Sequence, residues 1–158
     1  MRKASSTERS ARAADERAEA VDAIVLGAID RLSERLGPTA QLAAVGFSFG
    51  AHWTMWAPTQ RDQVVASVLY YGTTGDGLTD ASVPVLGHFA ENDPYESTEW
   101  VDEFEAILRS AGREVEIHRY PDTGHWFAEP SRDAYRREAA ELAFERTVAF
   151  LRTRSAVG

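Results

Sequence analysis

The stretch Leu42-Ala43-Ala44-Val45-Gly46-Phe47-Ser48-Phe49-Gly50-Ala51-His52 constrains this chain more than any other. A short apolar run leads into Gly-x-Ser-x-Gly, and a second apolar run follows. Glycines on both sides of a serine let a strand turn sharply into a helix, because neither carries a Cβ that would hold the two apart. Such a turn lifts the serine hydroxyl above the carboxyl end of the strand. It also sets Phe49 at a helix N-terminus, where a backbone N–H lacks an internal partner and can receive a developing oxyanion. A plain glycine-rich turn would read the same way, so Ser48 has to be weighed with the loops that follow it.

The rest of the chain alternates strand and helix. Residues 1–14 are polar and aperiodic and read as a disordered arm ahead of a single domain over residues 15–154. From Ala14 onward Val21, Ile24, Val25, Ala28, Ile29, Leu32 and Leu36 recur at three- and four-residue steps. They form one face of an amphipathic helix that Gly37-Pro38 stops. A helix over residues 49–57 follows the Ser48 turn and ends near Pro58. Val64-Val65-Ala66-Ser67-Val68-Leu69-Tyr70-Tyr71 is near-continuously apolar and β-branched, as a buried parallel strand should be. Val83-Pro84-Val85-Leu86-Gly87-His88-Phe89-Ala90 is the next strand, with Pro84 at its start. A helix from about Ser97 places Trp100, Val101, Phe104, Ile107 and Leu108 on one face and ends at Gly112. Val115 to Tyr120 alternates apolar and polar, as an exposed or edge strand does, and a last helix spans 133–152. Strands joined by short helical crossovers predict an α/β fold with a parallel sheet.

Charge and composition narrow the chemistry. With 158 residues the chain can bury one real core. Lys plus Arg is 17 against 25 for Asp plus Glu, a net charge of −8, so nucleic acid and anionic membranes are disfavoured as partners. The absence of cysteine excludes disulfides, thiolate metal sites and a cysteine nucleophile. None of the four histidines has metal-ligand spacing, and no cofactor or metal is called for. No apolar run approaches the roughly 18 residues of a membrane span, nor does the N-terminus hold a signal peptide's apolar core. The expected compartment is the cytoplasm.

In a sheet of this kind chemistry collects on loops beyond the carboxyl ends of the strands. Three such loops carry Ser48, Asp93 and His125, separated by 93 − 48 = 45 and 125 − 93 = 32 residues. A serine hydroxyl attacks only if an imidazole takes its proton, and a carboxylate then holds the ring in the right tautomer. Asp-Pro turns and Gly-His loops also occur for structural reasons, and Glu91 and Asp122 are rival acids. Among the other histidines, His88 lies inside a strand as a core or wall residue. His118 lies on a strand's polar face and His52 on the helix behind the Ser48 turn. Three separate signals on three successive loops favour a Ser48, Asp93, His125 triad.

Gly46-Phe47-Ser48-Phe49-Gly50, Leu86-Gly87-His88-Phe89-Ala90-Glu91-Asn92-Asp93 and Tyr120-Pro121-Asp122-Thr123-Gly124-His125-Trp126-Phe127 together resemble the dienelactone hydrolase family of α/β-hydrolases. The tail Asp133-Ala134-Tyr135, Ala139-Ala140 and Phe144-Glu145-Arg146-Thr147-Val148-Ala149-Phe150-Leu151 is similar to that family's closing helix, so the likeness covers about residues 20–151. It implies a three-layer α/β-hydrolase-like parallel sheet, shortened here to about four strands. It also implies the triad Ser48, Asp93 and His125, with Phe49 as oxyanion-hole backbone, and cofactor-free hydrolysis of a small-molecule ester or lactone. Two departures matter. The best-known members carry a cysteine nucleophile, whereas Ser48 leans toward serine-esterase behaviour. The family's N-terminal strands also have no counterpart ahead of Leu42, and with them goes the loop that supplies a second oxyanion N–H.

In α/β-hydrolases the sheet order follows the chain from the nucleophile strand onward, which leaves Leu42-Ala43-Ala44-Val45 at an edge although it is apolar on both faces. Either the helix over residues 14–36 covers that edge, or a second copy pairs with it as a homodimer, which is the favoured expectation. Two other readings stand beside the hydrolase. One is a catalytically weak or inactive truncated hydrolase acting as a binding or interaction module; the other is a pure interaction domain that pairs through its sheet edge. Turnover of an activated aryl ester, compared with Ser48→Ala, separates them.

Overall fold

The apolar runs become four parallel strands in a computed structural model, which describes residues 6–75, 79–80 and 82–155. In chain order the elements are α1 (Ser6–Leu36), β1 (Leu42–Phe47), a tight 3-10 turn (Ser48–Gly50), α2 (Ala51–Gln60), β2 (Val64–Tyr70), β3 (Val85–Asn92), α3 (Thr98–Ser110), β4 (Val115–Gly124) and α4 (Arg137–Ser155). The chain divides into two compact units, Met1–Thr39 with α1 and Ala40–Gly158 with the sheet, where the sequence reading drew one domain over 15–154.

Helix α1 begins at Ser6, ahead of the apolar periodicity that starts near Ala14. Ala11, Ala13, Ala14 and the charged residues around them are good helix formers and need no apolar face to extend a helix by propensity. Of the expected arm, residues 1–5 lie outside the described residues.

The sheet order is β1-β2-β3-β4, each neighbour parallel, so the strands follow the chain and β1 is terminal. Successive side chains of a strand point to opposite faces. Leu69, Val85 and Phe89 join Met55 of α2 and Val101, Phe104 and Leu108 of α3 on one side. Val68, Tyr70, Leu86 and Ala90 join Tyr120, Phe127 and the α4 residues Ala143 and Phe150 on the other. Both faces of β2 and β3 are therefore buried, which is why their sequences are apolar without alternation. Each large side chain that is fully buried here contributes about 1.5–3 kcal/mol. On terminal β1, by contrast, Val45 and Phe47 remain exposed.

Strand β3 begins at Val85, just past Pro84, and runs on to Asn92 rather than ending at Ala90, and three other boundaries differ from the sequence reading for a visible reason. Helix α2 does not stop at Pro58 but contains it. A proline cannot donate to the carbonyl four residues back, and here Thr54 O accepts the Ser67 hydroxyl of β2 instead, at 2.5 Å. Strand β4 runs past Pro121 to Gly124, because on a terminal strand the missing N–H can face away from the ladder. The last helix starts at Arg137 rather than 133. The segment before it folds into successive tight turns, closed by the Arg136 N–H donating to Phe127 O at 2.9 Å. Among the described residues no helix is long and apolar enough to cross a membrane.

Candidate active site

The reversal at the end of β1 is made by one residue. Phe47 is extended at φ −118, Ser48 takes a left-handed φ of 50, and Gly50 and Ala51 are already helical. A non-glycine residue at positive φ is strained and persists only where its surroundings enforce it. Two glycines enforce it here. A Cβ on Gly46 would lie 2.4 Å from Gly50 O and 2.6 Å from Thr54 Cγ2, so only a bare backbone lets β1 approach α2 this closely. A Cβ on Gly72, just past β2, would lie 2.4 Å from Ser48 O. Gly50 departs from the sequence expectation: its φ is −70 and nothing stands within 4 Å of the Cβ it lacks. The close approach belongs to Gly46 and Gly72.

Beyond the carboxyl ends of the strands the three loops converge. Ser48 Oγ lies 2.7 Å from His125 Nε2, and His125 Nδ1 lies 2.7 Å from Asp93 Oδ2. A carboxylate only accepts, so Nδ1–H donates to Asp93 and Nε2 is left to accept the Ser48 hydroxyl. The Asp93 and His125 side chains are 1% and 5% exposed, which strengthens the pairing by excluding water. Asp93 is also a turn residue: its Oδ1 accepts the N–H groups of Tyr95 at 2.9 Å and Glu96 at 3.2 Å. One oxygen therefore closes the turn before α3 and the other reaches the imidazole. The rival Glu91 is occupied elsewhere, its Oε2 accepting the Asp122 N–H at 2.9 Å and pinning the left-handed Asp122 at the end of β4.

Aromatic rings hold His125 in place. Tyr95 meets it edge-on at 4.9 Å, Trp126 at 4.7 Å, and Tyr71 is tilted against it at 5.1 Å. Tyr71 is itself fixed, at φ 38, by donating its hydroxyl to Glu129 Oε1 at 3.0 Å. Burial, and next the Glu129 carboxylate, push the Tyr71 phenol well above its ordinary range, so it stays a protonated donor.

The other histidines sort by their surroundings. His88 is fully buried, hydrogen-bonded to Tyr120 OH at 2.8 Å and Thr147 Oγ1 at 3.0 Å. Burial, and then His118 and Arg146, pull its pKa down to about 3, so at neutral pH it is an uncharged core group. His118 pairs with Glu116 at 2.6 Å. His52 is the surprise. It lies on α2, the helix behind the turn, as expected, but from there it lines the same cleft as Ser48, its Nδ1 3.0 Å from Thr74 Oγ1.

That cleft has a volume of about 580 Å³. Ser48 and His125 line it together with Phe49, His52, Tyr95, Glu96 and Trp126. Thr73 and Thr74, just past the carboxyl end of β2, complete the lining. Glu96 accepts the Thr73 N–H at 3.1 Å and the Thr73 hydroxyl at 2.7 Å, and Trp100 Nε1 donates to that hydroxyl at 2.5 Å. The loops after β2 and β3 are thus tied into one piece. The sequence reading did not single out Thr73, Thr74, Tyr95, Glu96 or Trp126. The position of each just past a strand's carboxyl end was the available signal. Among the described residues no group of three or more His, Asp or Glu side chains could hold a metal ion.

The arrangement is suited to acyl transfer: a strained, presented hydroxyl, a base in contact with it, and an acid orienting the base. Known proteins are similar to this chain over part of their length. A Yersinia pestis protein provisionally named a carboxymethylenebutenolidase is 29% identical over 122 residues, 70% of this chain and 46% of its own length. An Azospirillum brasilense protein with the same provisional name is 38% identical over 96 residues, 58% of this chain and 41% of its own. The crystal structure of a provisionally named dienelactone hydrolase from Klebsiella pneumoniae superposes with a TM-score of 0.64 at 28% identity, covering 68% of this chain and 50% of the other. The chain spans about half the length of the curated relatives it matches. The family model for the dienelactone hydrolases matches residues 2–155, nearly the whole sequence, and the chain belongs to that family.

Proposed function

We propose that this site hydrolyses small carboxylic esters or lactones through an acyl-serine intermediate. The observation that carries the reading is the continuous relay Ser48 Oγ, His125 Nε2, His125 Nδ1, Asp93 Oδ2, two contacts of 2.7 Å each at the mouth of a cleft. Membership of a family named for a lactone hydrolase supports the substrate class.

In the proposed cycle Ser48 Oγ attacks the acyl carbon as His125 Nε2 takes its proton. Asp93 stabilises the imidazolium without taking the proton itself. The carbonyl oxygen gains charge beside the Phe49 N–H, at the start of the 3-10 turn. Collapse breaks the bond to the alcohol oxygen, which leaves with the proton from His125. Water then gives a proton to His125 and attacks the acyl-serine, releasing the acid and restoring the Ser48 hydroxyl. Phe49 supplies an oxyanion donor, and removing one such donor typically costs about 10²–10³ in rate.

The test is hydrolysis of p-nitrophenyl acetate. Ser48→Ala should lower kcat at least about 10³-fold, and an organophosphonate should label Ser48 alone. Unchanged turnover in Ser48→Ala, with the label on another residue, removes the proposal.

A further inference from the structure

We infer that Glu129 is a positioning residue for the proposed base: through the Tyr71 hydroxyl and the Trp126 ring it fixes the plane of the His125 imidazole. The inference rests on the hydrolase reading of the same site.

His125 needs such a fixture because of where the fold puts it. It follows Gly124, the last residue of β4, and precedes Trp126, whose φ of 67 is left-handed. Its contacts with Ser48 and Asp93, 2.7 Å each, are both met by one orientation of the ring. Three aromatic rings surround the imidazole, and they are not equally firm. Tyr95 is 65% exposed, so much of its surface faces solvent. Tyr71 is fully buried, and its N–H donates to His88 O of β3 at 2.7 Å. It is the rigid wall against which the imidazole rests, with centroids 5.1 Å apart.

A buried tyrosine hydroxyl needs a partner, and an unpaired one would draw the ring toward water. Tyr71 donates to Glu129 Oε1 at 3.0 Å. The other oxygen, Glu129 Oε2, accepts from Arg132 Nε at 3.3 Å, and the Arg132 guanidinium lies 4.9 Å from the centre of the Trp126 ring. Trp126 in turn meets His125 edge-on at 4.7 Å. One carboxylate thus secures two of the three rings around the base. The backbone holds that carboxylate in place: the Glu129 N–H donates to Trp126 O at 2.9 Å, and Glu129 O accepts the Arg132 N–H at 3.0 Å. Glu129 acts through other side chains and not on the substrate, so its loss should appear in turnover rather than in binding. A shift of about 1 Å in a reacting group can cost about 10² in rate.

The experiment joins p-nitrophenyl acetate hydrolysis to NMR of the His125 ring nitrogens in isotopically labelled protein, assigned against His125→Gln. The ring-nitrogen shifts report which nitrogen carries the proton whether or not the protein turns over substrate. In the wild type the neutral ring should hold it on Nδ1. Glu129→Ala should lower kcat at least about tenfold while KM changes less than about twofold. Its ring-nitrogen shifts should move toward an average over both tautomers. Tyr71→Phe, which deletes a single oxygen, should act in the same direction. Glu129→Gln keeps an oxygen for the Tyr71 hydroxyl and should stay within about threefold of the wild-type kcat. Combining Tyr71→Phe with Glu129→Ala should be no slower than Glu129→Ala alone, because both break one connection. A loss confined to urea midpoints, with wild-type kcat and ring-nitrogen shifts, overturns the inference and leaves the hydrolase reading standing. Glu129→Gln as slow as Glu129→Ala overturns it too. No turnover by any of the proteins, with the ring-nitrogen shifts responding as stated, removes the hydrolase reading and upholds the positioning of His125.

Discussion

Gly46 and Gly50 are indistinguishable in the motif and opposite in the structure, so replacing each with alanine tests how the Ser48 turn is built. A Cβ on Gly46 would stand 2.4 Å from Gly50 O and 2.6 Å from Thr54 Cγ2, where ordinary contact begins at 3.4 Å. Relief requires movement of about 1 Å, and the nearest obstacle is the backbone of the turn itself rather than a side chain that could rotate. Overpacking of this kind costs about 1–3 kcal/mol, or about 2–4 °C of Tm per kcal/mol in a chain of this size. The functional loss should be larger than the stability loss suggests. Ser48 Oγ meets His125 at 2.7 Å, and a misplacement of about 1 Å can cost about 10² in rate. Gly50→Ala meets nothing within 4 Å and keeps a helical φ of −70. It should be neutral, or stabilising by about 0.4–1 kcal/mol through the lost freedom of the unfolded chain. The assay is kcat/KM for an aryl ester beside urea denaturation midpoints for the three proteins. A Gly46→Ala enzyme with wild-type midpoint and rate would refute the close-packing account. Gly50→Ala proving as harmful as Gly46→Ala would refute the contrast.

Two further outcomes can be measured by denaturation alone. Ser67→Ala removes the donor that satisfies Thr54 O beside Pro58, leaving a buried carbonyl unpaired at a cost of about 1–3 kcal/mol. The loss should shrink in a Pro58→Ala background, where the restored N–H can reach the same carbonyl, and an undiminished loss would exclude that compensation. For His88, the native imidazole stays neutral down to about pH 3 while the unfolded one takes a proton below its ordinary 6.5. Its contribution is therefore complete above pH 6.5 and drains away as the pH falls toward 3. By pH 5 the loss is about 2 kcal/mol. His88→Gln should be less stable at pH 7 but lose less between pH 7 and 5, and parallel pH profiles for the two proteins would sink this reading.

The sequence alone determined the strands, the elbow and the residues to watch. Apolar runs without alternation mark strands buried on both faces, Gly-x-Ser-x-Gly marks the reversal at Ser48, and chemistry-bearing loops follow strand ends. These signals are local, so Ser48, Asp93 and His125 could be named without coordinates. Only the tertiary structure decided what each residue meets. It assigned the close approach at the elbow to Gly46 and Gly72 rather than Gly50. It put His52 on the cleft wall beside Thr74 and fastened Glu96 to Thr73. It gave Thr54 O a donor from Ser67, which carries α2 through Pro58. It buried His88 between Tyr120 and Thr147, 32 and 59 residues away in sequence. The reason is physical: strand and turn preferences act over a few neighbouring residues, whereas these contacts depend on sheet register and on how each helix seats against it.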